Sequence, residues 1–541
     1  MAKDIGLDSI LQELGAFGKY NIVNYAILLF PVFLAGMYGS IYIFEAPDID
    51  YRCKITQCEG LNNTSWLSNA IPKEKDVLSR CMKYKHIDNY NYSCSVDSFN
   101  TSITEVCEEY EYSNENSAVK DFDLGCQNWK RTLIGTVHNA GLFLSLPLTG
   151  YISDRFGRKF ALSIASLMNG TFGFLRSFST NYVMMLAFEF LEAGLGAGAY
   201  STAFVLAMEL VGPKGRVFGN TIINAVYVSG LMTLAALSWW LQSWRHLLRI
   251  IYIPAVFVIS YIWILNESIR WLLSKGRTEE AIDILKKAAK MNKVQLSEEA
   301  LTPLYELKKL NGDHESEKQK DDITNKVEEK TSNFVKVIRS SVMRKRLAIC
   351  SFLWITCTFV YYGLSINSVS LGGNKYINFM LVAFAEIPAN IVCFLVLDRF
   401  GRKKVLIITY VLSACLCIGL SFLPKDQKWL SLVLYLSGKF SITVSYSSVY
   451  IYVSEVFPTS VRQSLLAVCS SLGRVGSTLA PLTPLLTLYY HNLPAIFFGS
   501  MALAASLLVF TLPETINVAL PDTIEEAEMI SKRKHGSDNE R

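Results

Sequence analysis

Three ionisable residues, Glu386, Lys439 and Arg474, stand inside stretches that are otherwise apolar or small and polar. A charge in such surroundings is costly to desolvate and marks a functional site by default. Arg474 is flanked at helical spacing by Ser470, Ser471, Ser477 and Thr478, so a polar stripe surrounds a planar fork suited to gripping a carboxylate. A permanent ion pair with Glu386 is the rival role, and both hold if a substrate exchanges partners with that pair. Lys439, Thr443, Tyr446 and Tyr450 recur at i, i+4, i+7 and i+11, on one helical face. A tyrosine ring holds an ammonium by cation–π attraction worth about 0.5–2 kcal/mol, although an aromatic stripe in a membrane helix more often serves packing. One acid, two bases and several tyrosines suit a small zwitterion better than a simple cation.

The elements that must carry these residues are apolar runs of about 20 residues, long enough to cross a hydrocarbon core about 30 Å thick. Residues 25–44 and 405–422 are two of them. Of 541 residues, 51% are apolar and only 18% charged, against about 25% charged in soluble domains. A soluble enzyme, a nucleic-acid binder and a disordered scaffold are excluded. The net charge of +5 carries no nucleic-acid message, because the basic residues lie at helix ends and in one loop. The chain reads as an all-α polytopic membrane protein with twelve transmembrane helices. In the first half the spans are 20–44, 130–152, 160–178, 181–210, 218–240 and 244–266. In the second they are 345–367, 374–398, 405–423, 428–456, 460–488 and 493–512.

Arg155, Arg158 and Lys159 follow span two, and Arg399, Arg402, Lys403 and Lys404 follow span eight, which makes both loops and both termini cytoplasmic. Lys130 and Arg131 lie on the other side and are outvoted. The first run is too long for a cleavable leader and lacks a small-residue cleavage site. The chain then divides into a cytoplasmic N-terminus (1–19), a six-helix bundle (20–266), a cytoplasmic loop (267–344), a second six-helix bundle (345–512) and a cytoplasmic tail (513–541). Glu279 to Met291 has helical periodicity, and Asn311 to Ser332 reads as flexible.

The large loop 45–129 is expected outside the cell. It holds Cys53, Cys58, Cys81, Cys94, Cys107 and Cys126, half of the twelve cysteines, which predicts three disulfides made in an oxidising compartment. Fifteen connectivities are open. Zinc is the rival, but no CxxC spacing supports it. Sequons at Asn62, Asn63, Asn91 and Asn100 in the same loop predict glycosylation. The other six cysteines are scattered through the spans and read as packing residues.

The halves repeat. Asp154-Arg155-Phe156-Gly157-Arg158-Lys159 recurs as Asp398-Arg399-Phe400-Gly401-Arg402-Lys403, an offset of 244. Glu209 before Arg216 matches Glu455 before Arg462 at an offset of 246, and Glu267 matches Glu514 at 247. Two parallel six-helix repeats are a secondary-transporter plan, with substrate bound near the midplane between halves.

With Gly150, the first of these loop segments resembles the G-x-x-x-D-R-x-G-R-K motif of the major facilitator superfamily; the second copy has Phe394 where the glycine would stand. The cysteine-rich first loop, Glu267-Ser268-Ile269-Arg270-Trp271-Leu272 and Leu512-Pro513-Glu514-Thr515 look like the organic cation, carnitine and organic anion transporters of solute carrier family 22. Ile269 replaces that family's usual proline. The resemblance implies the major facilitator fold, two six-helix pseudo-repeats and transport by alternating access.

It also implies roles for single residues. Ser471, Arg474, Gly476 and Ser477 match the arginine pattern of the anion and carnitine branches, where the cation branch has an acidic residue. Gly438 to Thr443 looks like a carnitine-branch sequence, and Glu386 resembles the glutamate of the cation and carnitine branches. Asn390 stands where anion transporters place a lysine. Tyr361 and Tyr362 lie in span seven where the family has Y-Y-G or Y-F-G, and Tyr227 in span five matches another of its tyrosines. Asp154, Arg155, Gly157, Arg158, Glu209 and Arg216, with Asp398, Arg399, Arg402, Glu455 and Arg462, match the groups that clasp the halves together while the cavity faces outward. Plain positive-inside topogenesis explains the bases among them but not the matched acids. His138, Glu189 and Glu192 also lie in spans, for ion coupling or for packing.

The expected function is a plasma-membrane carrier of small cationic or zwitterionic organic ions, resembling carnitine, β-alanine or amine derivatives. It sits in the lipid bilayer, needs no cofactor, binds no nucleic acid, and leaves coupling to Na+ or H+ open. An organic anion transporter and a facilitative sugar porter are the alternatives, and a non-transporting sensor on the same fold is a remote one. An enzyme is not expected, since no nucleophile elbow, phosphate loop or metal-ligand cluster is visible.

Overall fold

The computed structural model describes residues 7–15, 18–56, 58–60, 64–74, 77–87, 94–113, 116–211, 215–296, 302, 304, 336–424, 427–459, 461–516, 521 and 523–529. Twelve long helical spans run through the described residues. Eight are apolar and long enough to cross a membrane on those grounds alone: Lys19–Glu45, Tyr182–Leu210, Phe218–Leu241, Trp244–Ile264, Ser341–Ser370, Lys375–Phe400, Arg402–Leu420 and Arg462–Leu488. Asn128–Phe156, Arg158–Arg176, Lys428–Val456 and Leu493–Val509 fill the remaining places in the order. Spans are numbered here in that chain order, and each half has its own buried apolar core.

Small residues set the closest helix crossings. A Cβ on Gly36 of span one would meet the Cα of Gly230 of span five at 3.2 Å, so the two backbones touch only because both are glycine. Proline sets the breaks. Pro388 has no amide hydrogen for the carbonyl of Phe384, and span eight divides at Ala385 into Lys375–Phe384 and Glu386–Phe400. Glu386 therefore opens the second segment, on a helix turn held at a fixed angle.

The large loop folds as three two-stranded antiparallel ribbons, Tyr51–Cys53 with Tyr110–Tyr112, Lys73–Glu74 with Val77–Leu78, and Met82–His86 with Phe99–Val106. Its apolar core is small, built from Ile55, Trp66, Ile71 and Phe99 beside the cysteines. Three disulfides brace it, Cys53–Cys107, Cys58–Cys94 and Cys81–Cys126, with Cα separations of 5.6, 5.9 and 5.8 Å. Of the four sequons, Asn62, Asn63 and Asn91 lie outside the described residues. Asn100 is half-buried and its Oδ1 accepts the Ser102 amide at 3.0 Å.

At the opposite end, helix Leu7–Glu13 packs its Leu7, Ile10 and Leu11 on Ile282 and Leu285 of helix Thr278–Asn292. That helix covers the periodic stretch from Glu279 to Met291; the stretch from Asn311 to Ser332 lies outside the described residues. Asn292 ties the two ends of this platform, accepting from the Tyr20 amide at 2.8 Å and donating to the Leu14 carbonyl at 2.9 Å.

The halves meet mainly at the disulfide end. Phe44 of span one packs on Tyr376 and Phe379 of span eight, Trp239 stacks on Tyr376, and Tyr376 Oη donates to Gln242 Oε1 at 3.5 Å. Ile366, Phe379, Ala383 and Ala480 of the second half belong to the first half's core there.

Candidate functional site

Between the halves, one cavity enclosing about 310 Å³ of space, counted to open solvent, is lined by Tyr227, Tyr361, Tyr362 and Glu386. Four of the residues singled out from sequence thus share one wall. Lys439 lies directly behind it and is fully buried. Its Nζ stands 3.0 Å from Glu386 Oε1, donates to Ser365 Oγ at 2.7 Å and to the Tyr361 carbonyl at 3.2 Å, and lies 3.2 Å from the centre of the Tyr361 ring. Every proton of this ammonium has a partner. Tyr446, seven residues on from Lys439, packs at a tilt against Tyr361 with ring centres 5.5 Å apart, and Tyr361 meets Tyr362 edge-on at 5.2 Å. Tyr200 of span four, which sequence reasoning passed over, meets Tyr227 at 5.4 Å.

Arg474 does not take the rival role that the sequence offered it, the ion pair with Glu386. The partner of Glu386 is Lys439, not Arg474. Among the described residues no acid and no side-chain hydrogen bond engages the Arg474 guanidinium, which lies within electrostatic reach of Tyr200 and Tyr446. Three of its polar neighbours bond back to the helix: Ser477 and Thr478 donate to the Arg474 carbonyl at 2.9 Å, and Ser470 donates to the Ala467 carbonyl at 3.0 Å. Asn390 spans two helices, donating to the Glu386 carbonyl and accepting from Ser447, each at 2.9 Å. Among the described residues the half-buried Arg474 side chain is thus left without an acidic partner.

The loop motifs form two matched clusters at the terminal end. In the first, Arg158 pairs with Asp154 at 2.8 Å and approaches Glu209 at 3.6 Å. In the second, Arg402 pairs with Asp398 at 3.0 Å and with Glu455 at 3.1 Å. Each cluster is closed by a residue to which sequence reasoning gave no role. Glu267 Oε1 accepts the amides of Arg158 and Lys159 at 2.9 and 3.2 Å, and Glu514 Oε1 accepts those of Arg402 and Lys403 at 3.0 and 3.3 Å. A carboxylate at a helix N-terminus satisfies amides that have no partner within the helix and meets the positive end of its dipole. Gly157 and Gly401 allow this turn, with φ of +103° and +93°.

Among the described residues these pairs stay within one half each, so none of them joins the halves in this state. Arg155 bonds Tyr151 Oη at 2.6 Å, Arg399 lies over the Phe400 ring at 5.8 Å, and Arg462 donates to the Phe457 carbonyl at 3.3 Å. The Arg216 side chain lies outside the described residues.

A second charged group lies wholly within the first half. Arg176 at the end of span three is fully buried and contacts Glu189 of span four, with Glu45 of span one 2.7 Å away. His138 Nδ1 of span two stands 2.8 Å from Glu189 and 3.5 Å from Glu192. Glu45 and Arg176 sit at the ends of their apolar runs, where a charge reads as a span boundary, so sequence inspection passed over them.

Residues 89–526 match the family described as sugar (and other) transporter. Over almost its full length the chain is similar to the fruit-fly (Drosophila melanogaster) organic cation transporter protein, 31% identical, covering 98% of this chain and 96% of that one. It is 30% identical to mouse (Mus musculus) solute carrier family 22 member 21, covering 97% and 94%, and 29% identical to human (Homo sapiens) organic cation/carnitine transporter 2, covering 98% and 95%. Among solved structures, the inward-open xylose transporter XylE from E. coli shares the fold, with a TM-score of 0.59, 17% identity, and coverage of 94% of this chain and 99% of that one. The chain therefore belongs to the sugar (and other) transporters of the major facilitator superfamily and, within them, to solute carrier family 22, as a multi-pass membrane transporter of small organic substrates and not an enzyme.

Proposed function

We propose that the protein carries small cationic or zwitterionic organic ions across the plasma membrane by alternating access, and that Arg474 receives the carboxylate of a zwitterion. The observation that carries this reading is the unengaged Arg474 beside an aromatic wall whose own ion pair, Glu386 with Lys439, is complete. Half-buried, the Arg474 guanidinium keeps access to solvent and needs no fixed acid. A substrate carboxylate replaces water there through two parallel hydrogen bonds. The ammonium of the same molecule has Tyr361, Tyr362, Tyr227 and Tyr446 to lie against, with Glu386 as the nearest negative charge. The names of the relatives, organic cation and carnitine transporters, support the same substrate class. They do not favour a sugar porter, and Asn390, where a lysine would serve an anion, argues against a purely anionic cargo.

The disulfide-braced loop is read as extracellular and glycosylated, and both termini with the 267–344 loop as cytoplasmic. On that orientation the halves are closed on the outside and the cavity opens inward. Coupling to Na+ or H+ belongs to this proposal only as an open arm. The deciding experiment is uptake into proteoliposomes with a panel of carnitine, β-alanine derivatives, quaternary amines and aromatic anions. Saturable uptake of a zwitterion, lost in Arg474→Ala, supports the assignment; uptake of aromatic anions alone overturns it.

A further inference from the structure

The buried group in the first half has a charge problem. Three carboxylates, Glu45, Glu189 and Glu192, are each fully buried, and one guanidinium, Arg176, faces them. With a neutral His138 the group carries a net charge of −2, which a dry interior does not tolerate. The shortfall is greatest at Glu192: both its oxygens are buried and, among the described residues, without a hydrogen-bond partner, whereas Glu45 lacks one at Oε2 alone. Glu192 Oε2 lies 3.5 Å from His138 Nδ1 and 3.8 Å from the Arg176 guanidinium, near both and bonded to neither.

The groups facing this pair from each packed element complete the picture. Span one offers Glu45, Tyr38 and Tyr42; span six offers Tyr252, whose hydroxyl accepts from Arg176 at 3.0 Å. Span seven places Tyr362 within electrostatic reach of Tyr42. No further base appears among them. The three side chains His138, Glu189 and Glu192 come within 4.8 Å of one another, close enough to hold an ion, but the Arg176 guanidinium already stands at Glu189 and beside Glu192. A metal ion would need that occupied coordination space. A proton needs none, because it bonds directly to a ring nitrogen or a carboxylate oxygen.

We propose that His138 and Glu192 are a proton-binding site, loaded in the state seen here, and that its loading is coupled to closure of the disulfide end. With one proton on the imidazole and one on Glu192, the group is neutral, as its burial requires. The route to the gate is short. The His138 ring lies 5.4 Å from the Tyr42 ring, and Tyr42 abuts Gly135 on the same helix as His138. A Cβ on Gly135 would also lie 2.9 Å from Pro481 of span eleven, where the two halves touch. Loss of the protons recharges the pocket, draws water toward it, and favours parting at that contact.

Two measurements on the full chain in lipid nanodiscs test this without any substrate, so their outcome is separate from that of the substrate assignment. The first is pH-difference infrared spectroscopy, which reads the carbonyl stretch of a protonated carboxylic acid. Wild type should show a band that titrates away with rising pH, and Glu192→Gln, an isostere of the protonated acid, should lack it. The second places a cysteine by Ala480→Cys, a position fully buried at the closed contact, and follows its reaction with a bulky maleimide. Labelling should rise severalfold with pH in the wild-type background and stay low at every pH when Glu192→Gln is added. An unchanged infrared band in Glu192→Gln, or identical labelling profiles in the two backgrounds, overturns the proposal.

Discussion

Lys439 Nζ and Glu386 Oε1 stand 3.0 Å apart, on spans ten and eight, with the ammonium fully buried. The pair is saturated by Ser365 and the Tyr361 carbonyl, so it behaves as part of the wall. Breaking one side leaves a bare charge in the interior, at a cost of about 3–5 kcal/mol. Glu386→Gln should therefore lower the melting temperature and the surface expression sharply. The double variant Glu386→Gln with Lys439→Met should recover expression, because both charges leave together. Fluorescence-detected melting in detergent reads both, and a well-folded Glu386→Gln single variant speaks against the pairing.

Arg474 makes the contrary forecast. Its guanidinium engages no acid among the described residues, so Arg474→Ala should leave folding within about 1 kcal/mol of wild type while abolishing uptake of a zwitterion. Arg474→Lys should restore only part of it, since the two-pronged geometry is lost. Arg474→Asp should turn preference toward simple cations. Surface expression and uptake measured side by side decide it; loss of expression in Arg474→Ala removes the basis for substrate contact.

The terminal-end clusters should act on turnover. Arg158→Ala and Asp154→Ala should slow exchange about tenfold, a barrier change near 1.4 kcal/mol, with surface expression kept. Gly401→Ala should cost about 1–2 kcal/mol, because its φ is +93° and a Cβ would stand 2.8 Å from Glu514 Oε2. Normal turnover in both Arg158→Ala and Asp154→Ala would remove the gating role.

In the large loop, thiol labelling of the intact protein should find none of the six cysteines from Cys53 to Cys126. Replacing Cys58 and Cys94 together by serine should destabilise the loop by about 2–5 kcal/mol and leave the other two bridges formed. Mass spectrometry of non-reduced peptides checks the pairing.

A pH effect should come from Glu59 in the same loop. Two hydrogen bonds from Arg52, at 2.6 and 2.8 Å, hold its carboxyl below the usual carboxylate range. A folded-state value below the unfolded one adds stability above the unfolded pKa and loses it as pH falls through the folded one. The loop's resistance to protease should thus drop on acidification below about pH 4, by an amount modest for a partly exposed pair. Arg52→Ala should weaken that acid sensitivity.

Much of this was legible in the sequence, for identifiable reasons. Eight of the twelve spans announce themselves by length and apolarity, because lipid offers no partner to a polar group on their outer faces. Glu386, Lys439 and Arg474 stood out because charge is rare there. Their pairing was hidden, since Lys439 and Glu386 meet only through the packing of span ten on span eight, and Arg474 is no farther from Glu386 along the same reasoning. The disulfide pairs were open for the same cause: loop closure depends on the ribbons, such as Tyr51 opposite Tyr112, which no spacing rule supplies. Glu267 and Glu514 were visible as landmarks of a repeat, but their carboxylates serve backbone amides more than 100 positions away.

Those two carboxylates have a consequence for how the molecule is put together. Each closes the chain of its own half onto the start of that half's third helix, without help from the other half. The bonds at this end are therefore internal to each half, and each bundle can turn as one rigid lever about the contacts at the disulfide end.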